Sequence, residues 1–134
     1  MRSFKSANAI GLALSGGAAR GIAHIGVLRA LEEQEIPIKF ISGTSVGAII
    51  AALYAFDVEL DEIGRFAKSL NLSKVSSFKL SKYGLFDNHN LKDLLHQYIG
   101  DSCIEDSKLP LAIIATDISS GEKVILKTGS FSRL

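Results

Sequence analysis

Ile41-Ser42-Gly43-Thr44-Ser45-Val46-Gly47-Ala48-Ile49-Ile50 is the stretch on which the reading of this chain turns. An apolar run ends at Phe40-Ile41, a glycine-flanked serine follows at once, and a second apolar run of helical length begins. G-x-S-x-G between a strand and a helix is the nucleophile-elbow pattern. Its glycines have a mechanical reason. The turn must be tight enough to push Ser45 into a strained, exposed position, and side chains at Gly43 and Gly47 would collide. The serine then sits at the amino end of a helix, where unpaired backbone N–H groups favour negative charge. The same five residues also fit a plain strand-to-helix loop in which Thr44 or Ser45 caps the helix.

Upstream of the elbow, Ala9 to Leu14 reads as a short strand, apolar throughout as parallel strands covered on both faces are. Ser15 to Gly21 is a glycine-rich turn. From Ile22 to Gln34, Ile22, Ile25, Leu28 and Leu31 recur at helical spacing with Arg29, Glu32 and Glu33 on the far face. Pro37 stops the helix, and Ile38 to Ile41 forms the second strand. The unit is β-turn-α-β, so its two strands should be parallel. Downstream, Val46 to Phe56 carries no charge and predicts a helix buried all round. Leu60, Ile63, Phe66, Ala67 and Leu70 mark a third helix, and Asn71 to Lys82 reads as a loop. Asn88 can cap a fourth helix striped by Leu91, Leu94, Leu95, Tyr98 and Ile99 and ended by Gly100. Leu111 to Thr116 is a further strand, Ser119-Ser120-Gly121 a turn, and Lys123 to Lys127 its hairpin partner. The fold class is α/β with a largely parallel sheet covered by helices.

Composition narrows the functions. At 134 residues the chain has room for one domain, and 47% hydrophobic with 22% charged residues excludes a disordered one. A net charge of +1 argues against a nucleic-acid partner. The single Cys103 excludes an internal disulfide and favours a reducing compartment, and His24, His89 and His96 show no metal-ligand spacing. No signal peptide is read at the start, and the longest apolar run, Ala48 to Phe56, falls far short of a membrane span. The expected location is cytoplasmic, with peripheral contact at a membrane.

The glycine-rich turn supplies a second constellation. Ser15-Gly16-Gly17-Ala18-Ala19-Arg20-Gly21 leaves one strand and opens a helix, presenting backbone N–H groups where negative charge can sit. A dinucleotide-binding fingerprint fails, because Ala18 stands where it needs glycine and no acidic residue ends the second strand. An oxyanion hole fits better: both loops leave the carboxyl ends of parallel strands and can border one crevice. Gly11-Leu12-Ala13-Leu14-Ser15-Gly16-Gly17-Ala18-Ala19-Arg20-Gly21-Ile22-Ala23-His24-Ile25-Gly26-Val27-Leu28, followed by Gly43-Thr44-Ser45-Val46-Gly47, resembles the start of the patatin-like phospholipase family. Gly84-Leu85-Phe86 and Ala115-Thr116-Asp117 match later pieces.

The resemblance implies a three-layer fold and a lipid acyl hydrolase with a Ser-Asp dyad, no histidine and no cofactor. Carried over, Ser45 is the nucleophile, Gly43, Thr44, Val46 and Gly47 shape its elbow, and Gly16, Gly17, Ala18, Arg20 and Gly21 form the oxyanion loop. The chain departs from the family in two places. Ala18 replaces a usual glycine, which costs on the order of 1–2 kcal/mol if that position needs a positive φ. The family's catalytic Asp lies in an Asp-Gly-Gly or Asp-Gly-Ala motif, and no Asp-Gly pair occurs here. The expectation is therefore the amino-terminal part of a single domain over residues 1–134, with a short tail at 1–8, a sheet incomplete on its C-terminal side, and little turnover. Asp117 as a substitute base competes with a turn or cap role, His24 as a base with a packed or capping role, and Arg20 as a head-group ligand with a salt bridge. His89 and His96 are expected to be solvated. Expected partners are a phospholipid or other lipid ester, a membrane surface and, through an open sheet edge, another copy of the chain. Two other functions are weighed: a non-catalytic lipid- or acyl-binding or partner-completed module, and an ordinary Ser-Asp-His esterase, against which the Arg20 loop argues.

Overall fold

Two apolar segments separated by one amphipathic helix are enough to start a parallel sheet, and the chain begins that way. A computed structural model describes residues 9–72 and 88–131. Strand β1 (Ile10–Leu14), helix α1 (Ile22–Glu33) and strand β2 (Ile38–Thr44) form the first unit. Helices α2 (Val46–Ala55), α3 (Leu60–Leu72) and α4 (Asn88–Ile99) follow, and strands β3 (Leu111–Thr116) and β4 (Lys123–Leu126) complete the sheet. The sheet order is β1-β2-β3-β4. The first three strands are parallel and β4 returns antiparallel as the hairpin partner of β3. The fold is α/β with a mostly parallel open sheet, as the sequence predicts.

Both crossovers, β1 to β2 and β2 to β3, step across the sheet in the same direction. Right-handed connections therefore carry their helices to the same face. Burial follows that geometry. Leu14, Ile41 and Leu111 are buried on the helical side, whereas Phe40 and Ile125, on the other face, are 55% and 48% exposed. On that second face the Phe40 ring lies against Gly11, where any Cβ would run into its edge.

Helix α2 is the centre of the molecule. Eight of its residues are buried, as expected for a segment without a charged position. Leu53 and Tyr54 join Leu28 of α1, Ile41 of β2, Ile63 of α3 and Ile104 as the largest fully buried side chains. Each such side chain contributes about 1.5–3 kcal/mol relative to exposure. Arg29 of α1 donates to Asp61 of α3 at 2.6 Å, and the hydrogen bond and the charge both hold the Asp61 carboxyl below its usual range. The pair is solvent-exposed, so it orients the helices more than it stabilises them.

Two boundaries differ from expectation. Strand β2 continues three residues past Ile41 because it is central: Gly43 is paired with Leu14 on one side and Ile113 on the other. Helix α3 runs through Asn71 and Leu72, since neither glycine nor proline follows Leu70 there to stop it. The rest of the expected loop to Lys82, and Gly84-Leu85-Phe86, lie outside the described residues. Gly100 ends α4 as expected, at φ 59° with its N–H bonded to the His96 carbonyl at 2.9 Å. No helix among the described residues is long and apolar enough to cross a membrane.

Candidate active site at the end of strand β2

Thr44 ends β2 and Val46 begins α2, so one residue must turn the chain from strand to helix. Ser45 does so at φ 53°, ψ −128°, a conformation that L side chains seldom adopt. Ser45 occupies the N-cap position of α2, yet its side chain makes no capping hydrogen bond. The plain capping reading therefore does not describe it. Both glycines of the elbow are sterically required. A Cβ on Gly43 would lie 2.5 Å from the Ala48 nitrogen and closer still to the Gly47 carbonyl. A Cβ on Gly47 would lie 2.5 Å from the Ser15 carbonyl oxygen and press on that of Leu14. The end of β1 thus passes directly over the first turn of α2.

That contact brings the glycine-rich loop to the serine. A Cβ on Gly16 would sit 3.2 Å from the Ser45 Cβ and 3.8 Å from its Oγ. Gly17, at φ 149°, takes the glycine-favouring conformation, and a 3-10 turn over Ala18–Gly21 follows. Gly21 packs on Val46, where any side chain would strike the valine. Among the described residues, no backbone carbonyl outside the regular elements accepts from the N–H of Gly16, Gly17 or Val46. The imidazole Nε2 of His24 lies 2.8 Å from the Ser15 carbonyl oxygen, which assigns it as the donor. His24 thus ties the first turn of α1 to the root of the loop.

A cleft of about 450 Å³ opens beside the serine. Thr44 and Ser45 stand in its lining with Ala48, Ile49 and Ala52 of α2, Leu91, Lys92 and Leu95 of α4, and Ile113, Ile114 and Ala115 of β3. Leu126 and Phe131 complete it. Apart from Thr44, Ser45, Lys92 and the Phe131 ring, the walls are aliphatic, as in cavities that take apolar ligands. No spacing signal announces this cleft, because its walls come from three segments far apart in the chain.

The remaining candidates lie elsewhere. Asp117 does not line the cleft. Its Oδ1 accepts from the Ser119 N–H at 2.8 Å, and that bond, followed by the Ser120 hydroxyl, holds the carboxyl below its usual range. It is an Asx-type turn residue and a weakened base. His96 is exposed, with Nε2 3.3 Å from Asp101. Arg20 is exposed and has no carboxylate partner among the described residues. Among those residues no three His, Cys, Asp or Glu side chains gather as metal ligands.

The comparisons point one way. A family model described as patatin-like phospholipase matches residues 12–132. The chain is similar to patatin-like phospholipase domain-containing protein 6 of Homo sapiens and of Mus musculus. Each is 36% identical over 132 residues, which cover 94% of this chain and 10% of the relative. It is also similar to neuropathy target esterase sws of Drosophila sechellia, at 34% identity over 133 residues, 94% of this chain and 9% of the relative. The chain spans about a tenth of the length of the curated relatives it matches.

Proposed function

The chain belongs to the patatin-like phospholipase family, and from that premise we propose that Ser45 is the nucleophile of a lipid ester hydrolase. The observation that carries the reading is the serine's backbone: a strained elbow residue at a helix N-terminus whose hydroxyl caps nothing. Ser45 Oγ attacks the ester carbonyl, the alcohol leaves, and water cleaves the acyl-enzyme. The N–H groups of the Gly16-Gly17-Ala18 loop, with Arg20 and Gly21 holding its far end, stabilise the oxyanion of both tetrahedral states. Substrates are phospholipids or other lipid esters, which places the site at a membrane surface when it works.

The Oγ proton needs a base. The family's dyad uses an Asp followed by Gly, and residues 1–134 contain no Asp-Gly pair. These residues, as part of a single domain, therefore turn over little by themselves. A fluorophosphonate probe tests this. The expected result is slow labelling confined to Ser45 and absent from Ser45→Ala. Fast stoichiometric labelling overturns the inactivity, and equal labelling of Ser45→Ala overturns the nucleophile.

A second reading has its own observation. Phe40 and Ile125 leave the second face of the sheet apolar and half exposed, which suits a non-catalytic acyl-binding module completed by a partner or by another copy. A monomer by light scattering argues against assembly through copies.

A further inference from the structure

Along α2 the residues that line the cleft are Ser45, Ala48, Ile49 and Ala52, the i, i+3, i+4 and i+7 positions of one helical face. At 1.5 Å per residue, Ser45 and Ala52 stand ~10 Å apart along the axis, the length of roughly eight carbons of an extended alkyl chain. The two alanines keep that face low, where any larger side chain would project into the cleft. Leu91 and Leu95, one turn apart on α4, form the facing wall.

An aromatic pair stands at the far end of α2. Phe131 lines the cleft and meets Phe56 edge-on, with centroids 5.6 Å apart and planes at 76°. Phe56 directly follows α2, one turn beyond Ala52, so the aromatic pair stands across the path of anything that continues along the helix. A groove with one reactive end, smooth aliphatic sides and an aromatic stop measures length. We infer that the cleft is an acyl-chain ruler, in which a medium-length saturated chain lies along α2 with its carboxyl carbon at Ser45 and its methyl end against Phe131. The inference deepens the hydrolase reading and rests on it only for the orientation of the chain.

Binding tests the ruler without requiring turnover. Saturated fatty acids from butyrate to palmitate are made to displace a fluorescent fatty-acid probe from the intact chain. Affinity is expected to rise by up to about fourfold per added carbon, the ~0.8 kcal/mol of a buried methylene, and then level near octanoate or decanoate. Ala52→Leu fills the groove near its stop and moves the levelling point to shorter acids. Phe131→Ala removes the stop and moves it to longer ones. Thermal melts accompany both variants, and Ala52→Val replaces Ala52→Leu where the latter fails to fold. Affinity that climbs unbroken to palmitate, or a levelling point unmoved in folded variants at both positions, overturns the ruler. The two readings separate cleanly. Levelling without phosphonate uptake at Ser45 keeps the ruler and removes the hydrolase, and uptake without levelling does the reverse.

Discussion

Gly47→Ala is expected to disable the elbow without touching the serine. The new methyl would sit 2.5 Å from the Ser15 carbonyl oxygen and 2.7 Å from the Leu14 carbonyl carbon. Both are backbone atoms, so no rotamer change relieves the contact. Either the end of β1 withdraws or the first turn of α2 shifts, and each movement separates Gly16 from Ser45. Overpacking a tight site costs about 1–3 kcal/mol when side chains can yield, and more is expected where only backbone can move. Urea unfolding should place Gly47→Ala at least ~3 kcal/mol below the parent, with phosphonate uptake lost. Gly26→Ala is the internal control. It lies within α1 with nothing within 4 Å of the new methyl, so it should gain about 0.5–1 kcal/mol from helix propensity alone. Equal destabilisation of the two variants would sink the explanation.

Ser45→Gly should abolish labelling and make the protein more stable. Holding a non-glycine residue at φ 53°, ψ −128° costs of order 1–3 kcal/mol. Glycine removes that cost and returns about 0.5–1 kcal/mol through its freer unfolded chain. Ser45→Ala loses the hydroxyl but keeps the strain. Ser45→Gly is therefore expected to exceed Ser45→Ala by about 1 kcal/mol, a rise in Tm of roughly 3–5 °C for a domain of this size. Neither variant takes up the phosphonate. If the two melt together, the backbone at Ser45 is unstrained, and the proposal loses its main observation.

What could be read in the sequence was what local geometry dictates. Gly43 and Gly47 are glycines because neighbouring backbone atoms occupy the space that a Cβ would need, and such a demand leaves a mark at fixed spacing. The uncharged run of α2 announces a central helix for a related reason: a segment buried on nearly every side leaves no place for a charge. The turn role of Asp117 is legible as an alternative, and the hydrogen bond from the Ser119 N–H decides it, whereas the bond from His24 to the Ser15 carbonyl leaves no mark in the sequence. Strand β2 outlasts the apolar run that ends at Ile41 because Gly43 is paired on both sides, which no local pattern reveals. The cleft was illegible. Ala52, Leu95 and Phe131 carry no periodic relation to one another, and they meet only because the sheet and α2 bring them together.

Strand order in the sheet repeats strand order in the chain, and this has a consequence for how the molecule comes into being. A ribosome delivers β1, α1, β2 and α2 within residues 10–55, and each strand emerges beside a neighbour that already exists. No distant segment is needed to pair β1 with β2 or to lay α2 across them, so contact formation here is local and early. β3 must cross a long excursion before it reaches β2, and it arrives second. Ser45, both elbow glycines, the Gly16-Gly17 loop and the His24 anchor all belong to the early piece. The residues that distort the serine's backbone are thus synthesised before those that form the far walls of the cleft.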